Sequence, residues 1–74
     1  MITSTALTSQ TLVAAVYDSD QEKLQLDFCD GSRYVYFDVA PGLFRSLLDA
    51  SSKGRFFNQH IRRHLPFVKT LSQL

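Results

Sequence analysis

One cysteine, Cys29, stands alone in the 74-residue chain, so no internal disulfide can form. A single thiol fits a reducing compartment better than an oxidising one, and a cytoplasmic location is expected. No apolar run approaches the ~20 residues of a membrane span, so no membrane partner is expected. Residues 1–10 lack both a basic start and an apolar stretch, which argues against a signal peptide. Gly31 and Gly54 are isolated glycines, and no phosphate-cradling loop can be assembled from them. The most informative absence is of acid. Ala50 to Leu74 carries five bases, Lys53, Arg55, Arg62, Arg63 and Lys69, and no Asp or Glu. All seven acids fall between Asp18 and Asp49, so the net charge of +1 conceals a strongly polar molecule. Such segregation points to a positive contact surface for a phosphate-bearing or otherwise acidic partner.

What is present suits one small domain. Hydrophobic residues make up 45% of the chain, enough for a globular fold. A domain near this size buries only ~60% of the surface its unfolded chain exposes, so its stability is modest. Residues 1–10, rich in Ser and Thr, read as a mobile leader, residues 11–70 as the domain, and residues 71–74 as a tail.

Three strands can be read directly. Thr11 to Tyr17 is apolar and β-prone. Glu22 to Cys29 alternates, with Leu24, Leu26 and Phe28 on one face and Lys23, Gln25 and Asp27 on the other. Asp30-Gly31 signals a two-residue hairpin, and Arg33 to Val39 forms the third strand. That turn sets Leu26 opposite Val35, Leu24 opposite Phe37, Asp27 opposite Tyr34 and Gln25 opposite Tyr36. It leaves one mismatch, Phe28 against Arg33. Tyr34 and Tyr36 then emerge together on the face opposite the aliphatic core. A three-residue loop after Asp18 places Leu12, Ala14 and Val16 on the Leu24 face, and Val13, Ala15 and Tyr17 on the tyrosine face.

Two helices follow. Pro41 suits a first helical position and leads Leu43, Phe44, Leu47 and Leu48 in a helix ending near Ala50. Ser51 or Ser52 can cap the next helix, and Pro66 terminates it. On its wheel Phe56, Phe57, His60, Ile61, His64 and Leu65 share one half, while Arg55, Asn58, Gln59, Arg62 and Arg63 share the other. The expected fold is α+β: a three-stranded antiparallel sheet followed by two helices packed on one face, in the order β-β-β-α-α.

The basic stripe of Lys53, Arg55, Arg62 and Arg63, with Asn58 beside it, is the best functional candidate, because Arg offers planar forked donors to phosphate. An ordinary solvated face pairing with the acidic strands would carry the same charges. Tyr34 and Tyr36 on an open sheet face could stack on bases, or could pack beneath the leader or the segment 66–70. His60 and His64 have the i, i+4 spacing of metal ligands, but Ile61 replaces the metalloprotease Glu, no third ligand has suitable spacing, and both fall on the apolar half. They read as core or boundary residues. No base is positioned near Cys29 to make it a nucleophile. The run Asp18/Asp20/Glu22 lacks the Gly and terminal Glu of a calcium loop. No cofactor, metal site or catalytic residue is expected.

Val13 to about Phe67 resembles a KTSC domain, a short module named for the C-terminus of some lysyl-tRNA synthetases and also found as a stand-alone protein in bacteria and phages. Tyr34-Val35-Tyr36 matches the family's Tyr-x-Tyr core. Leu47, Ala50-Ser51-Ser52-Lys53-Gly54 and Arg55-Phe56-Phe57-Asn58-Gln59-His60-Ile61-Arg62 resemble its second block. The resemblance implies no cofactor and no catalytic residue, and its synthetase context suggests RNA. Two functions from different classes are therefore expected. One is a monomeric RNA-binding module in which the basic helix face tracks phosphates and tyrosines stack on unpaired bases. The other is a protein-interaction module that docks an acidic partner surface.

Overall fold

A computed structural model describes residues 1–70. Strand β1 (Ile2–Ala6) is followed by β2 (Leu12–Asp18), β3 (Lys23–Phe28) and β4 (Arg33–Tyr36), then by helices α1 (Pro41–Asp49) and α2 (Lys53–His60), and last by β5 (Phe67–Thr70). The five strands form one antiparallel meander in the order β1-β2-β3-β4-β5. The expected α+β class, the antiparallel sheet and the two helices are present, but the sheet has five strands rather than three. Residues expected to form a mobile leader supply β1, and the segment after Pro66 supplies β5. The tail expected over residues 71–74 lies outside the described residues.

The β3–β4 register differs by one residue from the sequence expectation. Leu24 pairs with Tyr36, Gln25 with Val35, Leu26 with Tyr34 and Asp27 with Arg33. The cause is the turn. Its loop is three residues long, Cys29-Asp30-Gly31, closed by the Phe28 N–H donating to the Ser32 carbonyl at 2.9 Å. Only Gly31 takes a positive φ, of 90°, as in a turn followed by a glycine bulge. The Asp30 carboxylate accepts from the Ser32 N–H at 2.9 Å and the Ser32 hydroxyl at 2.6 Å, fixing the wider loop. These bonds hold the Asp30 carboxyl below its ordinary pKa, the hydroxyl contributing most. The shifted register removes the Phe28–Arg33 mismatch. Arg33 instead grips Asp27 through two hydrogen bonds, of 2.6 and 3.1 Å.

The loop after Asp18 also departs from expectation. It holds four residues, Ser19 to Glu22, between the paired Asp18 and Lys23. Asp18 Oδ1 accepts from the N–H groups of Asp20 and Gln21, and Glu22 adopts φ 54°. Tyr17 and Ala15 therefore join the Leu24 face, and Val16 turns outward. A bulge at Val13 brings Leu12 back to the core side. The buried core is Leu12, Ala15, Tyr17, Leu24, Leu26, Tyr36, Val39, Phe44, Leu47, Phe57 and Ile61.

Both helices cover this face. Pro41 opens α1 without a side-chain cap, and Phe44 stacks on Tyr17 with ring centroids 4.5 Å apart. The Tyr17 hydroxyl donates to the Val39 carbonyl. Ser52 caps α2 by accepting from the Arg55 N–H. The helix stops at His60, earlier than Pro66, because the N–H groups of Ile61 and Arg62 both close onto the Phe57 carbonyl.

Candidate nucleic-acid interface

Two clefts flank α2. The first, of about 540 Å³, lies between β4, β5 and the end of α2. Its lining includes Phe28, Tyr34, Tyr36, Phe57 and Phe67, with Asn58, Arg62 and Arg63 along the helix side and Thr11, Asp30 and Ser32 opposite. The rings form one connected cluster: Phe28–Phe57 at 5.2 Å, Tyr36–Phe67 at 5.5 Å, Tyr36–Phe57 at 5.6 Å and Tyr34–Phe67 at 5.7 Å. The Lys69 ammonium sits 5.8 Å from the Tyr34 ring centre. The second cleft, of about 650 Å³, runs between residues 8–11 and the start of α2, and Lys53 and Arg55 line it. Thr11 and Asn58 line both clefts, so the two form one groove along the helix.

Tyr34 and Tyr36 do not lie on an open sheet face. The register shift turns both toward the helices, leaving Tyr34 half-buried and Tyr36 only 2% exposed. They reach a ligand surface only where the cleft opens between α2 and β5. Tyr36 is nevertheless unlike Tyr17. Its hydroxyl makes no hydrogen bond to the described residues, whereas Tyr17 has Val39. No side-chain oxygen or nitrogen among the described residues is sealed from solvent without a partner, so the Tyr36 hydroxyl opens onto the cleft. Its pKa is pushed up to about 12, chiefly by burial and further by Tyr34, with Arg62 opposing. It is thus a protonated donor at neutral pH.

The basic residues divide between the two ends of α2. Arg55, Arg62 and Arg63 are exposed, and Phe57 and Ile61 are buried, as the helical wheel implies. Arg62 leans on Asn58 at 3.4 Å rather than on a strand acid. Lys53 is half-buried and its ammonium donates to the Ala50 carbonyl at 3.0 Å. Among the described residues the ion pairs are Met1–Asp20 and Arg33–Asp27, neither involving the acid-free segment. The first turn of α2 holds no acid while Lys53 and Arg55 occupy it, so the helix dipole adds to the positive potential there.

His60 and His64 are corrected: both are exposed, not core or boundary. His60 packs against Phe56 with centroids 4.5 Å apart. The helix ends between them, so they do not share a helical face. Sequence reasoning missed Phe28, Phe67, Thr11 and Ser32 as cleft residues. It also missed why position 54 is glycine. A Cβ there would lie 2.8 Å from Thr11 Oγ1 and 3.2 Å from Thr11 Cβ, so Gly54 lets residues 8–11 close against α2.

A small antiparallel meander with two helices inserted before its last strand, and an aromatic groove beside the second helix, defines a compact α+β domain. The chain belongs to the KTSC domain family, whose model matches residues 8–65. It is similar to an uncharacterized protein of Stutzerimonas stutzeri, 43% identical over 54 residues, covering 73% of this chain and 76% of that protein. It is also similar to the lysine–tRNA ligase of Nostoc punctiforme, 37% identical over 51 residues, which are 69% of this chain but 9% of the ligase. The crystal structure of a KTSC domain protein from Yersinia pestis superposes with a TM-score of 0.86 at 27% identity, covering 95% of this chain and 99% of that one. Among the described residues no helix is long and apolar enough to cross a membrane.

Proposed function

We propose that the domain binds single-stranded RNA, as a monomer and without catalysis, through the groove along α2. The observation that carries this reading is the meeting of the two clefts at Thr11 and Asn58, one lined by aromatic rings and two arginines, the other by hydroxyls and two bases. Single strands are held by this combination of cationic backbone contacts and aromatic stacking. The bases of the acid-free segment make no ion pair with a carboxylate among the described residues. A tRNA ligase that carries a similar segment as a minor fraction of its length adds weight, since it handles RNA. The experiment is fluorescence anisotropy of a labelled single-stranded RNA 10-mer at low salt. Arg62→Glu with Arg63→Glu should abolish binding while the melting temperature stays within a few degrees, since exposed charges contribute little to stability. Undiminished binding by that variant would remove the groove from the account.

A second reading, docking of an acidic protein surface, is favoured by the exposed Phe67 and Val68 on edge strand β5. Loss of a copurifying protein, rather than of RNA, in the same variant would select it.

A further inference from the structure

The aromatic cleft has the composition of a pocket for one unit of a polymer rather than of a surface that tracks many. Its volume of about 540 Å³ falls in the range of small-ligand sites. Apolar walls are supplied by Tyr34, Phe57 and Phe67. Phe67 is 50% exposed although its ring contacts those of Tyr34 and Tyr36. A large apolar ring held half in water at a cleft mouth is a platform awaiting a planar partner. Tyr36 adds an independent observation. The residue is only 2% exposed, yet it lines the cleft and its hydroxyl has no protein partner among the described residues. A buried ring whose hydroxyl can donate into the cleft favours a ligand with an acceptor at that depth. Arg62 and Arg63 stand at the rim, where charge recognition belongs.

We infer that this cleft is a single-nucleotide pocket: one unpaired base enters it against Phe67 and Tyr34, accepts a hydrogen bond from the Tyr36 hydroxyl, and leaves its flanking phosphate to Arg62 and Arg63. The inference rests on the RNA reading and sharpens it. The basic cleft at the start of α2 then meets only backbone, and discrimination among bases resides in the aromatic cleft. Asp30 and Ser32 form the opposite wall, so the hydrogen-bonding edge of the base faces both a carboxylate and a hydroxyl.

The test compares a mixed-sequence RNA 10-mer with an abasic 10-mer of equal phosphate count, and free 5′-AMP, against wild type, Phe67→Ala and Tyr36→Phe. Tyr36→Phe keeps the buried ring, and Phe67 lies on an exposed edge, so both variants should fold. Wild type should bind the normal strand at least 10-fold more tightly than the abasic one. Phe67→Ala should weaken binding of the normal strand by about 5- to 160-fold, the range for loss of one stacked base. Tyr36→Phe should weaken it several-fold and leave the abasic strand unaffected. Equal binding of normal and abasic strands, with both variants like wild type, overturns the pocket while leaving charge-based RNA binding intact. Binding of 5′-AMP as tight as that of the 10-mer overturns the assignment to a strand. Failure of both 10-mers to bind at low salt removes the RNA reading and the pocket with it.

Discussion

Leu24 lies opposite Tyr36 across the β3–β4 ladder, and both side chains are buried beneath the helices. This pairing turns the Tyr-x-Tyr segment inward. It makes the tyrosines walls of a cleft instead of a platform on a bare sheet. Everything proposed for the aromatic site depends on it.

The same ladder sets the core. Leu26 is fully buried opposite Tyr34. Stability of about 0.05–0.15 kcal/mol per residue amounts to roughly 4–11 kcal/mol for this length. Leu26→Asp deletes a large apolar contact and buries an unpaired charge, together costing several kcal/mol. The expected result is loss of a cooperative melt by circular dichroism. A variant melting within a few degrees of the parent would show the core face to be misassigned.

Alkaline stability reports on Tyr36. Its phenol titrates near 12 in the folded state, against about 10 when unfolded. Between these values the unfolded state binds fewer protons, so stability falls as pH rises through that window. The Tyr17 phenol, also raised by burial, acts in the same direction. Tyr36→Phe should therefore lose less stability than the parent between pH 10 and 12. Parallel melting-temperature curves for the two proteins would contradict the buried placement of Tyr36.

Gly54 should resist replacement. Alanine in a helix gains about 1 kcal/mol over glycine, yet its Cβ would meet Thr11 Oγ1 and Cβ inside contact distance. Gly54→Ala should lower the melting temperature, and Thr11→Ala should restore part of the loss, because it removes the nearer atom. Additive effects in a double-mutant cycle would mean that the two residues do not touch.

Much of the fold was legible in the residues, and the failures have physical causes. The alternation of Leu24, Leu26 and Phe28, the Pro41 start, the Ser52 cap and the split between Phe57/Ile61 and Arg55/Arg62/Arg63 all reflect strong local periodicity or capping chemistry. The Asp30-Gly31 signal was ambiguous. Glycine at positive φ serves both a two-residue and a three-residue loop, and one residue of loop reverses every side chain beyond it. The pairing of Asp27 with Arg33, better than Phe28 with Arg33, was the clue in the sequence to the longer loop. Strand β1, Ile-Thr-Ser-Thr-Ala, carries too few apolar residues to announce itself, and β5 is a four-residue edge strand behind a proline. Edge strands are stabilised by pairing rather than by burial, so hydropathy barely marks them. The basic half of the site was therefore readable, while its aromatic half depended on a register and on a strand that local pattern does not determine.

The central claim is that the groove along α2 neutralises the backbone of a single strand. For single strands the logarithm of the binding constant falls with the logarithm of salt by about 0.7 per phosphate contacted. Three or four contacts from Lys53, Arg55, Arg62 and Arg63 give a slope near −2 to −3. Measuring affinity for the RNA 10-mer from low to physiological salt tests this directly. The account predicts that slope for the parent and its collapse when Arg62 and Arg63 become Glu. Absence of binding at the lowest salt, or a slope near zero, would contradict it.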